Sequence, residues 1–330
     1  MMRIAVTGSM GQVATSLIEQ AGREFEIVLL GRRVFLLEDR GAVLAGLKAA
    51  RPDVVINAAA YTSVDQAEAE ESLAVAINGE GAGHVAEAAD RIGAPLLQMS
   101  TDYVFDGALN RPYREDDPPG PRSAYGRSKL LGERLVAERC ANSVIVRTAW
   151  LFSPYGTNFV RTMLTLNETH EEVSVVADQR GNPTSALDLA AALLSVAVRA
   201  REDASPALRG VFHMTGSGEA TWADFAEAIF VEAAARGRRL TRVKPITTTD
   251  YPTPAQRPAN TRLDNEKLRR VYGLELPDWR KSLTACCGVL RAAHPMTCSH
   301  DLRSRGKSRQ GAAVGSGNVH APLRISARGR

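Results

Sequence analysis

The N-terminal residues restrict the fold more than any other stretch, because they join a buried strand to a helix through a glycine turn. Residues 3–7 (RIAVT) are apolar and partly β-branched, which predicts a buried strand. Gly8 permits a tight turn, Gly11 lets a ligand approach the backbone, and Ala14 packs the following helix on the strand. The unpaired N–H groups at the start of that helix can hold a pyrophosphate. The stretch therefore predicts a dinucleotide-binding site within an α/β fold.

Apolar runs continue to alternate with helical patterns through the first half of the chain. Further strands are predicted at residues 26–30, 53–60, 94–99 and 143–148. Strands that alternate with helices predict an α/β fold with a doubly wound parallel sheet. We therefore assign residues 1–150 to a Rossmann-like, dinucleotide-binding domain and residues 151–290 to a smaller substrate-binding lobe. Segments of this lobe, such as the apolar run at 211–214, are expected to return to the first domain.

The positive charge of the chain is concentrated at its C-terminal end. The net charge is +4, but residues 301–330 alone contain seven Lys or Arg and one acidic residue. The preceding 300 residues hold 34 basic and 36 acidic residues, which argues against a nucleic-acid partner. Residues 291–330 lack apolar periodicity, so we predict a basic, disordered tail there.

The sequence shows none of the patterns typical of membrane, secreted or metal-binding proteins. No apolar run approaches the roughly 18 residues of a membrane span. A strand pattern begins at once at the N-terminus, which leaves no room for a signal peptide. The four cysteines lack the spacing of a disulfide framework or a zinc site. We therefore expect a cytoplasmic protein without a membrane partner.

A tyrosine and a lysine lie four residues apart in the stretch SAYGRSK. In a helix, Tyr125 and Lys129 would share one face, one turn apart. A free tyrosine has a pKa near ~10, and a cation held beside it would lower this pKa towards neutrality, as general acid–base chemistry needs. The alternative interpretation is a surface tyrosine and lysine on an amphipathic helix. Ser100 and Thr101, at the end of a predicted strand, would face the same crevice as the glycine turn.

Two arginines, Arg32 and Arg33, follow the second predicted strand. An NAD enzyme usually has an acidic residue at this place, which bonds to the ribose hydroxyls. A guanidinium group there suits the 2′-phosphate of NADP(H) instead. NADPH is therefore the predicted cofactor, with NADH as the alternative. Without a ligand, the two arginines would simply be a solvated pair in a turn.

Eight motifs follow one another along the chain: TGSMGQVA, RPDVVINAAAYTSVD, STDYVFDG, YGRSK, RTAWLF, NFVRTML, DQRGNPT and YPTPAQRPANTRLD. With these motifs, residues 2–285 resemble the extended short-chain dehydrogenase/reductase superfamily and, within it, the dTDP-4-dehydrorhamnose reductase family. The resemblance implies NADPH-dependent reduction of the 4-keto group of dTDP-4-dehydro-L-rhamnose to dTDP-L-rhamnose, in nucleotide-sugar and surface-polysaccharide biosynthesis. The partner would be a small nucleotide-sugar substrate, and we expect a monomer or a homodimer.

The same resemblance implies roles for individual residues. Thr101, Tyr125 and Lys129 would be the catalytic residues. Together with the glycine turn and the arginine that follows the second strand, the residues in contact with the cofactor would be Gly8, Gly11, Gln12, Val13, Arg32, Ala60, Tyr61, Thr62, Tyr125 and Lys129. The sugar nucleotide would contact Thr101, Asp102 and Trp150. The chain departs from the family at Leu36, often an adenosine-contacting Asp, and at Ser16, a metal-binding Glu in some relatives, so no metal is predicted.

Two other functions remain open at this point. A sugar-nucleotide epimerase or dehydratase of the same fold would retain its cofactor through the cycle and would have an acid after the second strand. A non-catalytic, nucleotide-binding regulatory subunit would often lack one of the three catalytic residues, all of which this chain retains. Nicotinamide bound to the purified protein would indicate the epimerase or dehydratase.

Overall fold

A computed structural model describes residues 1–32 and 35–293 and the backbone of residues 323–324; side chains are described for 1–32 and 35–290. Its strands are β1 (Met2–Thr7), β2 (Phe25–Leu30), β3 (Val54–Asn57), β4 (Leu96–Thr101), β5 (Ser143–Thr148), β6 (Leu151–Phe152), β7 (Glu172–Val176), β8 (Arg180–Gly181), β9 (Thr184–Ser185), β10 (Gly210–His213), β11 (Ala220–Thr221), β12 (Arg242–Ile246) and β13 (Leu323–Arg324).

The helices fill most of the segments between these strands. They are α1 (Gln12–Gln20), α2 (Arg40–Ala50), α3 (Val64–Ala67), α4 (Glu71–Ala74), α5 (Gly81–Ile92), α6 (Ala124–Arg139), α7 (Phe159–Thr169), α8 (Ala186–Glu202), α9 (Trp222–Ala234), α10 (Glu266–Tyr272) and α11 (Trp279–Ala293). A π-helical turn (Val75–Glu80) joins α4 to α5. Short 3₁₀ turns span Asp102–Val104, Pro206–Leu208 and Thr248–Asp250.

Six strands form one parallel sheet in the order β2-β1-β3-β4-β5-β10. Residues of α1 and α8 pack on one face of this sheet, and residues of α2, α5 and α6 pack on the other. The predicted doubly wound α/β sheet is therefore confirmed, and the run at 211–214 joins it through β10. The strand order reverses between β1 and β3, where sheets of this type have a ligand-binding crevice.

The chain leaves the sheet at Asn57, earlier than the predicted strand at 53–60 would allow. The Thr7 hydroxyl donates to the Asn57 side-chain oxygen at 2.5 Å and accepts from the Ala59 N–H at 3.0 Å. These bonds direct the backbone over Gly8, which has a φ of +85°. A Cβ atom on Gly8 would lie 3.1 Å from the Ala59 Cα atom, so the close crossing explains the glycine.

Aromatic side chains form the core of the second part of the chain, between α7, α9, α11 and β7. Trp279 meets Phe225 edge to face at 5.4 Å between ring centroids, and Trp222 is buried beside them. Thr221 caps α9 and Asp224 completes the capping box. Helix α8 and strand β10 also come from residues 151–290, but they pack on the main sheet. The division into domains at residues 1–150 and 151–290 therefore stays a prediction.

The predicted tail is described at one place beyond α11. The backbone of Leu323–Arg324 forms β13, which pairs with β7 in the antiparallel direction. Residues 294–322 and 325–330 lie outside the described residues, so the disorder expected for the tail stays a prediction.

Gly126 lets the start of α6 approach the turn after β4. A Cβ atom at this position would clash with the Tyr103 carbonyl oxygen and lie 2.9 Å from the Pro121 Cβ atom. Because backbone atoms would have to move, we expect Gly126→Ala to lower the free energy of unfolding by about 1–3 kcal/mol.

Gly288→Ala in α11 is the matched control for this substitution. Apart from its two chain neighbours and the backbone of its own helix, no described atom lies within 4 Å of the Cβ position of Gly288. Alanine should therefore leave the stability unchanged or raise it by up to ~1 kcal/mol through its helix propensity. Urea unfolding measures both variants, and equal stabilities would contradict the close approach at Gly126.

Candidate active site

A cavity of about 430 Å³ lies at the carboxyl ends of β3, β4 and β5, beside the start of α1. Most of the residues predicted for the site line it: Gln12, Val13, Ala60, Thr62, Thr101, Asp102, Tyr125, Lys129 and Trp150. They come from separate strands and helices, and the parallel sheet brings them together because its strands end at one edge. Their roles stay predictions, but their common location is a feature of the fold.

A second cavity of about 380 Å³ adjoins the first on the side of β2. The residues that line both are Ala58, Ala60 and Thr62. Predicted cofactor residues that line the second cavity alone are Gly8, Gly11 and Arg32. The two cavities form a continuous crevice across the point where the strand order reverses.

Tyr61 is a predicted cofactor residue whose ring lies elsewhere. It packs into the hydrophobic core between the sheet and α2, α5 and α6. Its hydroxyl donates to Glu70 at 2.7 Å, and its backbone N–H donates to the Asn78 side chain at 2.8 Å. Burial, together with Glu70, raises the pKa of Tyr61 to about 12. The sequence could not indicate this orientation, because the alternation of the strand has already ended at Asn57.

The first turn of α6 presents Tyr125 to the larger cavity. Ser123 caps the helix, since its hydroxyl accepts from a backbone N–H at 3.1 Å. The Tyr103 ring meets Tyr125 edge to face at 5.7 Å between centroids. Burial raises the pKa of Tyr125, and hydrogen bonding with Thr101 offsets only part of this rise. The expectation of a lowered Tyr125 pKa is therefore wrong for this structure, because the effect of burial is larger, and the Tyr125 hydroxyl keeps its proton at neutral pH.

Lys129 reaches the end of β4 from the next turn of α6. The residue is 4% exposed, and its ammonium donates to the Met99 carbonyl at 2.7 Å. Burial lowers the pKa of Lys129 to about 8, and the charge of Glu133 opposes this shift. The ammonium is bonded to the strand, and burial decides the pKa of the nearby Tyr125 phenol.

Thr101 and Asp102 form the end of β4 and the turn that follows. The Thr101 hydroxyl donates to Asp102 Oδ1 at 2.9 Å and accepts from the Tyr103 N–H at 3.2 Å. Asp102 is 2% exposed, and its Oδ2 has no hydrogen-bond partner among the described residues. Burial raises the pKa of Asp102 to about 7, and the hydrogen bond from Thr101 opposes this shift. A buried, unpaired carboxylate oxygen in a cavity wall is suited to accept a hydrogen bond from a ligand.

Trp150 forms an aromatic wall of the same cavity. Its backbone is left-handed, with a φ of 47°, and its indole N–H donates to the Thr261 hydroxyl at 3.1 Å. Trp222 stacks on it with ring centroids 3.5 Å apart and also lines the cavity. Gly181 makes room for the indole, because a Cβ atom there would lie 2.5 Å from Trp150 Nε1. The sequence did not indicate Trp222, because its stacking partner lies on a distant segment.

Comparison with known proteins shows which of them are similar to this chain. The family model described as RmlD substrate binding domain matches residues 2–291. The dTDP-4-dehydrorhamnose reductase of Sinorhizobium fredii is 49% identical over 282 residues, which cover 85% of this chain and 95% of that protein. The chain belongs to the dTDP-4-dehydrorhamnose reductase family. The predicted family is therefore confirmed.

Solved structures of the reductase family have the same fold. The reductase from Clostridium acetobutylicum is 38% identical and superposes with a TM-score of 0.82, covering 88% of this chain and 100% of that one. The reductase from Bacillus anthracis, solved in complex with NADP, is 36% identical and has a TM-score of 0.80, covering 86% of this chain and 98% of that one.

The second cavity of this reductase-family chain fits a dinucleotide phosphate. Gly11 caps α1 without a side-chain hydrogen bond, so the first N–H groups of the helix are available to a pyrophosphate. Arg32 is exposed on the wall, where it can bond to a phosphate. Glu38 lines the same wall and would repel a 2′-phosphate. Arg33 lies outside the described residues, and Leu36 is 48% exposed.

The prediction that the chain binds no metal rests on Ser16, which stands where some relatives have a metal-binding Glu and is buried in α1. In the part of the chain that the structure describes, no group of three or more His, Cys, Asp or Glu residues could hold a metal ion. The absence of a metal stays a prediction. No helix within the described ranges is long and apolar enough to cross a membrane.

Proposed function

We propose that this reductase-family protein uses NADPH to reduce the 4-keto group of dTDP-4-dehydro-L-rhamnose, yielding dTDP-L-rhamnose for polysaccharide biosynthesis. The observation that carries the proposal is the single cavity where Thr101, Tyr125 and Lys129 meet beside the glycine turn. Family membership supports the proposed identity of the substrate, and the NADP complex of the Bacillus anthracis relative supports the proposed identity of the cofactor.

Each side chain in the cavity has a task in this reaction. When bound, the nicotinamide supplies a hydride to the ketone carbon. Tyr125 protonates the alkoxide oxygen that results, because burial keeps its hydroxyl protonated until then. Thr101 bonds to the same oxygen and orients it. Lys129 stabilises the phenolate left on Tyr125 and holds the cofactor ribose.

The substrate is held by residues on the other side of the cavity. The unpaired Oδ2 atom of Asp102 accepts a hydrogen bond from a sugar hydroxyl. The flat face of Trp150, held by Trp222 and Thr261, packs against the sugar ring. Both contacts orient the ketone towards Tyr125, so they act through position and not through proton transfer.

A direct assay separates this function from the two alternatives. NADPH oxidation is followed with dTDP-4-dehydro-L-rhamnose as substrate, and the product is identified. One NADPH consumed per dTDP-L-rhamnose supports the reductase. Nicotinamide retained through purification, with sugar conversion but no net oxidation, would indicate an epimerase or dehydratase. Cofactor binding without any turnover would indicate a regulatory subunit.

We infer further that the protein works in the cytoplasm as a monomer or homodimer, with a nucleotide sugar and not a nucleic acid as its partner. The near-neutral charge of residues 1–300 supports the absence of a nucleic-acid partner. Light scattering of the purified protein measures the oligomeric state, and an assembly larger than a dimer would contradict this inference.

Cofactor preference provides a test of Arg32. Because its guanidinium would pair with the 2′-phosphate, we expect Arg32→Ala to reduce the NADPH-over-NADH ratio of kcat/KM by about tenfold. Arg23→Ala is the control, since Arg23 is also exposed but precedes β2. Equal kcat/KM for NADPH and NADH in the wild-type enzyme would contradict the predicted preference.

A further inference from the structure

Glu133 is a buried carboxylate that the reaction described above does not use. It follows Lys129 by one turn and Tyr125 by two turns, on the same face of α6. Its exposed fraction is 5%, and both carboxylate oxygens are bonded. Ser100 Oγ donates to Oε1 at 2.5 Å, while Arg147 donates to Oε1 at 2.9 Å and to Oε2 at 2.6 Å. Arg147 is equally buried, at 4% exposed.

Two successive turns of α6 are bonded to two successive residues of β4. The Lys129 ammonium donates to the Met99 carbonyl, and Glu133 accepts from the Ser100 hydroxyl. Thr101 is the next residue of β4 and carries a hydroxyl that faces the cavity. The position of the Thr101 hydroxyl relative to α6 therefore depends on these two bonds.

We propose that Glu133 is a positioning residue of the reduction: with Arg147, it holds the end of β4 against α6 and stabilises the ammonium form of Lys129. The inference rests on the proposed role of Lys129. Structural stability alone does not explain such a pair, because a well-packed apolar pair of similar volume is often as stable. A charge one helical turn from Lys129, in a site that excludes water, is weakly screened and acts strongly on it.

The charged and titratable groups around Lys129 come from three elements. Glu133 and Tyr125 share α6 with it, Asp102 and Tyr103 follow β4, and Arg147, the ion-pair partner of Glu133, lies on β5. Burial lowers the pKa of Lys129 to about 8, and Glu133 acts in the opposite direction. Removal of the Glu133 charge would therefore lower this pKa further. Removal of the Arg147 charge would leave Glu133 without its ion-pair partner, so the negative charge beside Lys129 would raise the pKa.

The test compares Glu133→Gln with Arg147→Gln, because both break the same ion pair but change the charge near Lys129 in opposite directions. Lys129 loses its charge as the pH rises through its folded pKa. This pKa therefore defines the alkaline limb of two pH profiles, that of activity and that of NADPH affinity. We expect that limb to move by about 0.5–1 pH unit to lower pH in Glu133→Gln and to higher pH in Arg147→Gln. In both variants kcat should fall by about tenfold, with a smaller change in KM.

Two further variants serve as controls. Ser100→Ala keeps both charges and removes one bond, so kcat should fall while the alkaline limb stays in place. It also tests the positioning role if the charge variants fail to fold, and an unchanged kcat would then overturn that role. Glu138→Gln makes the same substitution at an exposed position of α6, and its profiles should coincide with those of the wild type.

The outcomes separate this inference from the proposed function. The role of Glu133 would be overturned by two results together. The alkaline limbs of both charge variants would coincide with that of the wild type, and activity would fall only in proportion to the unfolded protein seen in thermal melts. A wild-type protein without turnover would count against the reductase function instead. The pH profile of NADPH binding needs no sugar substrate, so it tests Glu133 in either case.

Discussion

Tyr125→Phe is expected to lower kcat by roughly a hundredfold to ten-thousandfold, with little change in KM for the sugar nucleotide. The substitution removes the hydroxyl that protonates the alkoxide, while the ring that packs edge-on against Tyr103 remains. The folded protein should therefore keep its stability and lose its turnover. Steady-state kinetics beside thermal melts measures both quantities.

Tyr272→Phe is the matched control for the loss of a buried hydroxyl. The Tyr272 hydroxyl donates to the Leu208 carbonyl at 2.7 Å, in a part of the core away from the cavity. This variant should lose about 1 kcal/mol of stability and keep its kcat. If folded Tyr125→Phe enzyme retained kcat within about threefold of the wild type in single-turnover measurements, another group would be the proton donor.

Lys129→Met should lower kcat by about a hundredfold and also weaken NADPH binding. Methionine fills a similar volume but cannot stabilise the Tyr125 phenolate or bond to the cofactor ribose. Because the ammonium also donates to the Met99 carbonyl, a modest loss of stability is expected. Kinetics and a fluorescence titration of NADPH measure the two functional effects.

Lys267→Met provides the comparison for this variant. The Lys267 ammonium also donates to a backbone carbonyl, that of Val211, at 2.6 Å, and lies over the Phe212 ring. It does not line the larger cavity. Its replacement should alter stability alone. Unchanged NADPH affinity in Lys129→Met would show that the ribose is held by other groups.

Several structural features could be predicted from the sequence because they depend on residues close together in the chain. β5 has the predicted bounds, and the capping box of α9 joins residues three positions apart, Thr221 and Asp224. The glycine turn at Gly8 is present because the backbone there needs a positive φ. Even the meeting of Thr101 with Tyr125 and Lys129 could be expected, since parallel strands end at one edge of the sheet.

Other features depended on burial, which a local pattern does not report. The four-residue spacing correctly put Tyr125 and Lys129 near one another, but it suggested a lowered pKa for the phenol. The structure instead raises this pKa, because the tyrosine is desolvated. Desolvation depends on how many distant segments cover a side chain, and no single motif contains that information.

The amino-acid sequence by itself determined the fold class, the family and most of the predicted side chains that line the cavity, through periodicity, turn chemistry and ordered motifs. Only the tertiary structure decided that Tyr61 packs into the core, that Trp222 stacks on Trp150, and that Glu133 is neutralised by Arg147. Each of these contacts joins different segments of the fold. Their geometry follows from the packing of whole helices and strands, which the local sequence around either partner does not specify.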